Sequence, residues 1–377
     1  PDPSEYLTRK EKIDPLLFEQ GWDVSDRSFI RVEIDTRQSD FLLKKYRTVS
    51  ETLKNDAESK YADYILLDST SAPLAVVEAK RTSKDPLVGQ KQAEEYADDI
   101  RSQTGRDVFI FLTNGKEIKF WDRSRAGVRT VSGFYSRRDL ERIRFQNEHL
   151  MLESPVIVNT VIVDRARNIE NVKRVAEHLL KGHRKALVVM ATGTGKTRVA
   201  MGIIDLLMKM HLVQRVLFLA DRKALRDQAM DKGYLVYFPD EAKDLIRGTK
   251  FNPDARLYVS TIQTFMEIYQ ARNIQGQLLM SPGEFDLIFS DEAHRSIYNK
   301  WRDVFTYFDG IQIGLTATPS ELVDRDTFQF FDCFDDTPTA LYEYSDAVKD
   351  GVLVDFRQSV ISAQTHYQIE GIKPKDL

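Results

Sequence analysis

The chain has 377 residues, 42% of them apolar and 30% charged, with a formal net charge of −4. That composition suits a soluble chain of two or three domains and excludes a globally basic protein that coats nucleic acid, so any such contact must use local patches of Lys and Arg. The lone cysteine, Cys333, cannot form an internal disulfide, and no apolar run approaches the roughly 18 residues of a membrane helix; a cytoplasmic setting without a membrane partner is expected.

Residues 1–25 hold a short helical pattern (Ile13, Leu16, Leu17) ending at Gly21-Trp22, and residues 41–58 also look helical. The opening Pro1-Asp2-Pro3-Ser4 has no initiator methionine and no signal-peptide character, which suggests a start inside a longer chain. The period then changes. Tyr64–Leu67 reads as a strand, Ser69–Pro73 as a turn and Leu74–Glu78 as a second strand. A helix is expected over Pro86–Gln103 and a strand over Val108–Leu112. Asn114-Gly115 then signals a hairpin into Glu117–Trp121. Arg123, Arg125, Arg129, Arg137, Arg138, Arg142 and Arg144 form the one candidate basic patch, whose ordinary alternative is a solvated face.

Asp63 lies at the start of the first strand, and Glu78 and Lys80 sit two apart in the second, so the latter pair points to one face. If the strands pair as a hairpin, Asp63 approaches that face. Asp63 and Glu78 can then bind magnesium through oxygen, activating water for phosphodiester attack, while Lys80 steadies the developing negative charge. A solvated strand with a surface salt bridge is the ordinary alternative. Gln92 and Tyr96, one helical turn apart, can orient this strand or touch DNA.

Periodicity lapses near Glu148–Pro155, and beyond it helix and strand alternate, with strand candidates at 186–190, 215–220, 257–260, 286–290 and 311–315. Several are continuous apolar runs, as parallel strands buried on both faces must be, and the alternation predicts a doubly wound α/β unit. Ala191-Thr192-Gly193-Thr194-Gly195-Lys196-Thr197 follows the first of these strands and opens a helical pattern. Strand, glycine-rich turn and helix form the setting of a phosphate-binding loop, in which backbone N–H groups cradle phosphate, Lys196 reaches the terminal phosphates and the Thr197 hydroxyl ligates magnesium. The general pattern has a further glycine where Met190 stands.

Asp291-Glu292-Ala293-His294 ends another apolar strand, 95 residues after Lys196. Asp291 is the expected magnesium ligand, Glu292 the residue that polarises attacking water, and His294 a relay of the γ-phosphate state. Thr316 and Thr318 follow the strand 311–315 as a coupling element. Arg222, with the run Ser260–Thr264, offers contacts to a phosphate backbone. All of these fall at carboxyl ends of strands, where open α/β sheets bind ligands.

Together these motifs resemble superfamily 2 helicases and translocases over residues 155–320, which implies a RecA-like lobe, ATP with Mg2+, and nucleic acid as track. Asn168 stands where that family often has a glutamine reading adenine. The front arrangement resembles the PD-(D/E)xK nuclease fold of the RecB-like class over residues 55–121, with Ala62 in place of the proline and Glu19 as the best candidate for an additional helical acid. The combination resembles the restriction (R) subunit of type I restriction–modification enzymes. The resemblance implies an endonuclease domain (1–150), a RecA-like motor lobe (151–340) and the truncated start of a second motor lobe (341–377). It also implies ATP-driven translocation and cleavage of double-stranded DNA, with methyltransferase (modification) and specificity subunits as partners. Alone, such a fragment is expected to bind ATP but hydrolyse it poorly. The alternatives are a repair or defence helicase–nuclease without methylase partners, and an ATP-gated DNA-binding module with an inert nuclease.

Overall fold

A computed structural model describes residues 5–35, 61–151, 155–293, 301–318 and 323–355. Its strands form two sheets. The first sheet has the order β1-β2-β3-β4-β5-β6: Ile30–Asp35 (β1), Tyr61–Leu67 (β2), Pro73–Ala79 (β3), Phe109–Thr113 (β4), Ile118–Trp121 (β5) and Arg129–Val131 (β6). Only the β3–β4 pairing is parallel. The helix Gln90–Thr104 makes that crossover and covers one face with Ala93, Tyr96, Ala97 and Ile100. Helical turns from Glu5 to Glu19, including a π-turn over Arg9–Ile13, cover the other face with Ile13 and Leu17. The expected strands and the helix from Pro86 are all present. The sheet gains β1, whose Ile-Arg-Val-Glu-Ile-Asp alternation carries the period of a strand. The helix expected at 41–58 lies outside the described residues.

The second sheet is wholly parallel, in the order β13-β7-β12-β11-β8-β10-β9. Its strands are Lys185–Met190 (β7), Val216–Ala220 (β8), Lys243–Leu245 (β9), Leu257–Thr261 (β10), Leu287–Asp291 (β11), Ile311–Thr316 (β12) and Ala340–Tyr342 (β13). Apolar side chains go to both faces, which gives two core clusters rather than one. β13 extends this sheet beside β7, and the Ala191 N–H donates to the Tyr342 carbonyl at 2.9 Å. The segment after the expected boundary at 340 thus begins with an edge strand of the parallel sheet, too short to show a period in sequence.

The two units meet at the amino-terminal edge of the parallel sheet. Asp286, just before β11, accepts from Arg142 Nε at 3.1 Å and Gln146 Nε2 at 2.8 Å, and from the backbone N–H groups of Gln214 and Arg215. Asp309, just before β12, accepts from Arg129 Nε at 2.7 Å and from the Tyr135 hydroxyl. Arg123 pairs with Asp98 and Asp107, and Arg144 with Asp68. Four of the run's seven members are thus committed to carboxylates of the fold or its joint, while Arg138 is exposed.

Candidate active sites

The register Tyr64 opposite Val77, carried one residue further, sets Asp63 opposite Glu78. Cross-strand partners in an antiparallel pair share a face, so both carboxylates point toward the helix Gln90–Thr104. Burial pushes the Tyr96 phenol up to about 12, and the negative charges of Glu78 and Asp63 push it the same way. Asp63 Oδ2 accepts from the Ala79 N–H at 2.7 Å, and Oδ1 from Arg9 Nη1 at 2.8 Å. Lys80 Nζ donates to Glu78 Oε1 at 2.5 Å and to Gln92 Oε1 at 3.2 Å, while Gln92 Nε2 donates to the Tyr96 hydroxyl. Glu78, Lys80, Gln92 and Tyr96 are therefore brought together as one hydrogen-bonded group, with Asp63 bonded to the Ala79 N–H between Glu78 and Lys80. Gln92 is exposed and Tyr96 is buried.

Gly89 and Arg9 complete this group and were not legible as part of it. A Cβ at Gly89 would lie 2.7 Å from Glu78 Cγ and 3.0 Å from Lys80 Cε, so only glycine lets the start of the helix approach these two side chains. Glu19, the expected helical acid, is elsewhere: its Oε1 accepts from Arg272 at 2.8 Å in the joint with the second unit. Among the described residues no group of three or more His, Cys, Asp or Glu gathers to hold a metal. The donor set here is a carboxylate pair, which suits a hard oxygen-liganded cation whose remaining positions go to water and substrate.

The second site lies along the carboxyl edge of the parallel sheet, where β7, β8, β10, β11 and β12 end in the residues that carry its motifs. The loop after β7 takes left-handed conformations at Gly193 (φ 86°) and Gly195 (φ 105°), the latter capping the helix Lys196–Lys209. Thr192 and Gly193 are exposed, while Thr194 is buried with its hydroxyl donating to the Ala191 carbonyl at 2.6 Å. Thr194 thus shapes the loop with its side chain. Lys196 Nζ donates to Glu292 Oε1 at 3.3 Å. Glu292 has a left-handed φ of 53°, a costly conformation for a non-glycine residue and a common mark of functional sites. Burial raises the neighbouring Asp291 carboxyl to about 6, against the pull of Lys196. Thr197 follows Lys196 in the first turn of the helix, and Thr316 is buried at the end of β12, accepting from the Thr318 N–H at 3.1 Å.

Asn168, expected as the counterpart of the base-reading glutamine, stands beside the phosphate loop. It is buried, and its Nδ2 donates to the Thr194 carbonyl at 2.9 Å, so the amide braces the phosphate loop from its own helix, Ala166–Leu180. Its Oδ1 is buried and has no hydrogen-bond partner among the described residues. Arg222 is exposed at the end of β8, with Nη2 3.3 Å from Asp221 Oδ2. Thr261 caps the helix Ile262–Ile268, which uses one hydroxyl of the Ser260–Thr264 run. His294 lies outside the described residues.

Two family models match the chain. Residues 2–129 match the family described as "Type I restriction enzyme R protein N terminus", and residues 162–321 match "Type III restriction enzyme, res subunit". The EcoAI type I restriction enzyme endonuclease subunit of Escherichia coli is 28% identical over 380 residues, covering 96% of this chain and 44% of that protein. The chain is similar to the HsdR-like R subunits of type I restriction enzymes. The EcoKI endonuclease subunit of Escherichia coli K12 is 26% identical, with 91% of this chain and 34% of that protein covered. This chain therefore spans less than half the length of the R subunits it matches. A solved fragment of a protein proposed as the HsdR subunit of a type I restriction enzyme from Vibrio vulnificus YJ016 is 27% identical, covering 93% of this chain and 61% of that one with a TM-score of 0.37. Within this R-subunit frame the first family match contains Asp63, Glu78 and Lys80, and the second contains the phosphate loop and Asp291-Glu292. Among the described residues no helix is long and apolar enough to cross a membrane.

Proposed function

We propose that this chain carries two magnesium-dependent centres, one cleaving double-stranded DNA and one turning over ATP, as the cutting and motor part of a type I restriction–modification complex working in the cytoplasm. The observation that carries this reading is the register of β2 against β3, which carried one residue past Tyr64 and Val77 puts Asp63 opposite Glu78 with Lys80 beside it, in the same chain as the glycine-rich loop 191–197. Asp63 and Glu78 would hold the metal of the first centre, and Thr197 and Asp291 that of the second. Bound magnesium supplies Lewis-acid polarisation and lowers the pKa of a ligated water.

The rest is the work of side chains. Lys80 steadies charge on the phosphate under attack, and Gln92 and Tyr96 hold Lys80 in place. Lys196 and the N–H groups after Thr192 bind the nucleotide phosphates, and Glu292 takes the proton of the attacking water once Lys196 turns to phosphate. Thr316, Thr318 and Arg222 connect the nucleotide edge to the DNA track. The nuclease domain spans residues 1–150, and the motor lobe runs from about residue 155 through 355, with modification and specificity subunits supplying methylation and site recognition.

The test uses the complete enzyme assembled with those subunits. Lys80→Ala should abolish DNA cleavage and leave ATP turnover in place, whereas Lys196→Ala should abolish both. Cleavage that survives Lys80→Ala removes Lys80 from the catalytic group and the proposal with it.

A further inference from the structure

The helical stretch ahead of the first sheet brings to Asp63 a cation that motif spacing does not reveal. Arg9 Nη1 and Asp63 Oδ1 are 2.8 Å apart, and their side chains are only 11% and 14% exposed. Asp63 Oδ2 accepts from the Ala79 N–H, so each carboxylate oxygen already has a donor. Across the strands Lys80 is paired with Glu78. Two carboxylates therefore face two cations. Arg9 begins the π-turn Arg9–Ile13, an irregularity of the kind that recurs at functional sites in helices.

We propose that Arg9 is a built-in counter-ion that a divalent metal must displace from Asp63, which makes it the positioning residue that sets the metal affinity of the nuclease centre. The inference rests on the reading of Asp63 and Glu78 as the metal-holding pair. A guanidinium keeps its proton throughout the working pH range, so this charge cannot be titrated away. A dication entering this largely buried cluster meets a fixed like charge, and the repulsion there exceeds its value in water. A purely architectural role, pinning the helical stretch to the sheet, gives no link between Arg9 and metal.

The experiment is calorimetric titration of Mn2+ into nucleotide-free protein carrying Asp291→Asn, which silences the motor's metal carboxylate. Adding Arg9→Gln should tighten Mn2+ binding by about tenfold or more. Arg9→Lys, which keeps the charge, should stay near the parent. Adding Asp63→Asn to Arg9→Gln should erase the gain. Equal affinity in Arg9→Gln and parent overturns the counter-ion role while leaving the carboxylate pair intact. Absence of Asp63-dependent binding in every variant overturns the pair itself. Should Arg9→Gln fail to fold, 15N-arginine labelling of the parent replaces it. The Arg9 Nε–H resonance, assigned by its absence in Arg9→Lys, should move during a Mg2+ titration, and a resonance that stays fixed at saturating metal overturns the proposal.

Discussion

Arg142 Nε donates to Asp286 Oδ1 at 3.1 Å across the joint between the two sheets, with both side chains less than a tenth exposed. Asp286 also satisfies two backbone N–H groups ahead of β8, so it is a junction of both units. Breaking a buried, hydrogen-bonded pair from one side strands the other charge, at a cost of about 3–5 kcal/mol. Arg142→Ala should therefore lower the chemical-denaturation midpoint strongly. Arg138→Ala, which removes a pair to Asp254 exposed at 49% and 87%, should leave it almost unmoved. Equal effects of the two would mean that the joint is not held by this contact.

Gly89 supplies a second test, because its packing is specific to one centre. A methyl group at this position would sit 2.7 Å from Glu78 Cγ, so Gly89→Ala must push Glu78 and Lys80 aside or shift the helix start. DNA cleavage by the assembled enzyme should fall by about a hundredfold, as misplacement by an ångström can cause. ATP affinity, measured with a fluorescent nucleotide, should not change.

Asn168 separates two roles for one amide. If it braces the loop through the Thr194 carbonyl, Asn168→Ala loses a buried hydrogen bond, and ATP and GTP affinities should weaken together by about five- to tenfold. A change confined to ATP would restore the base-reading role.

Asp291 gives a pH dependence. Burial holds its carboxyl at about 6, so acidification neutralises it earlier than an ordinary aspartate. Proton and magnesium compete for the same oxygens, so magnesium-dependent nucleotide binding should decline as pH falls through about 6. Asp291→Asn should bind weakly at all pH values with no such decline. A wild-type curve that stays flat on both sides of that value would contradict the shift.

The long apolar strands of the parallel sheet, β7, β8, β10, β11 and β12, were legible because burial on both faces leaves an uninterrupted run. The strands that escaped, β1, β6, β9 and β13, all lie at sheet edges, and the last three have three residues each, where neighbours rather than composition decide pairing. At the nuclease centre, the Asp63, Glu78 and Lys80 constellation followed from period two and one assumed hairpin. Arg9 was invisible because it comes from an element 54 residues away in sequence. Gly89 was hidden because a missing side chain leaves no pattern. The arginine run misled for a related reason: charge density in sequence does not say which carboxylates lie opposite.

The last described segment gives the phosphate loop an unexpected neighbour. Through β13 the Tyr342 carbonyl receives the Ala191 N–H, and a Cβ on Gly193 would lie 3.1 Å from Leu353 Cδ2. Residues 340–355 thus lie against the loop that follows β7, and an alteration at Tyr342 or Leu353 should be felt there.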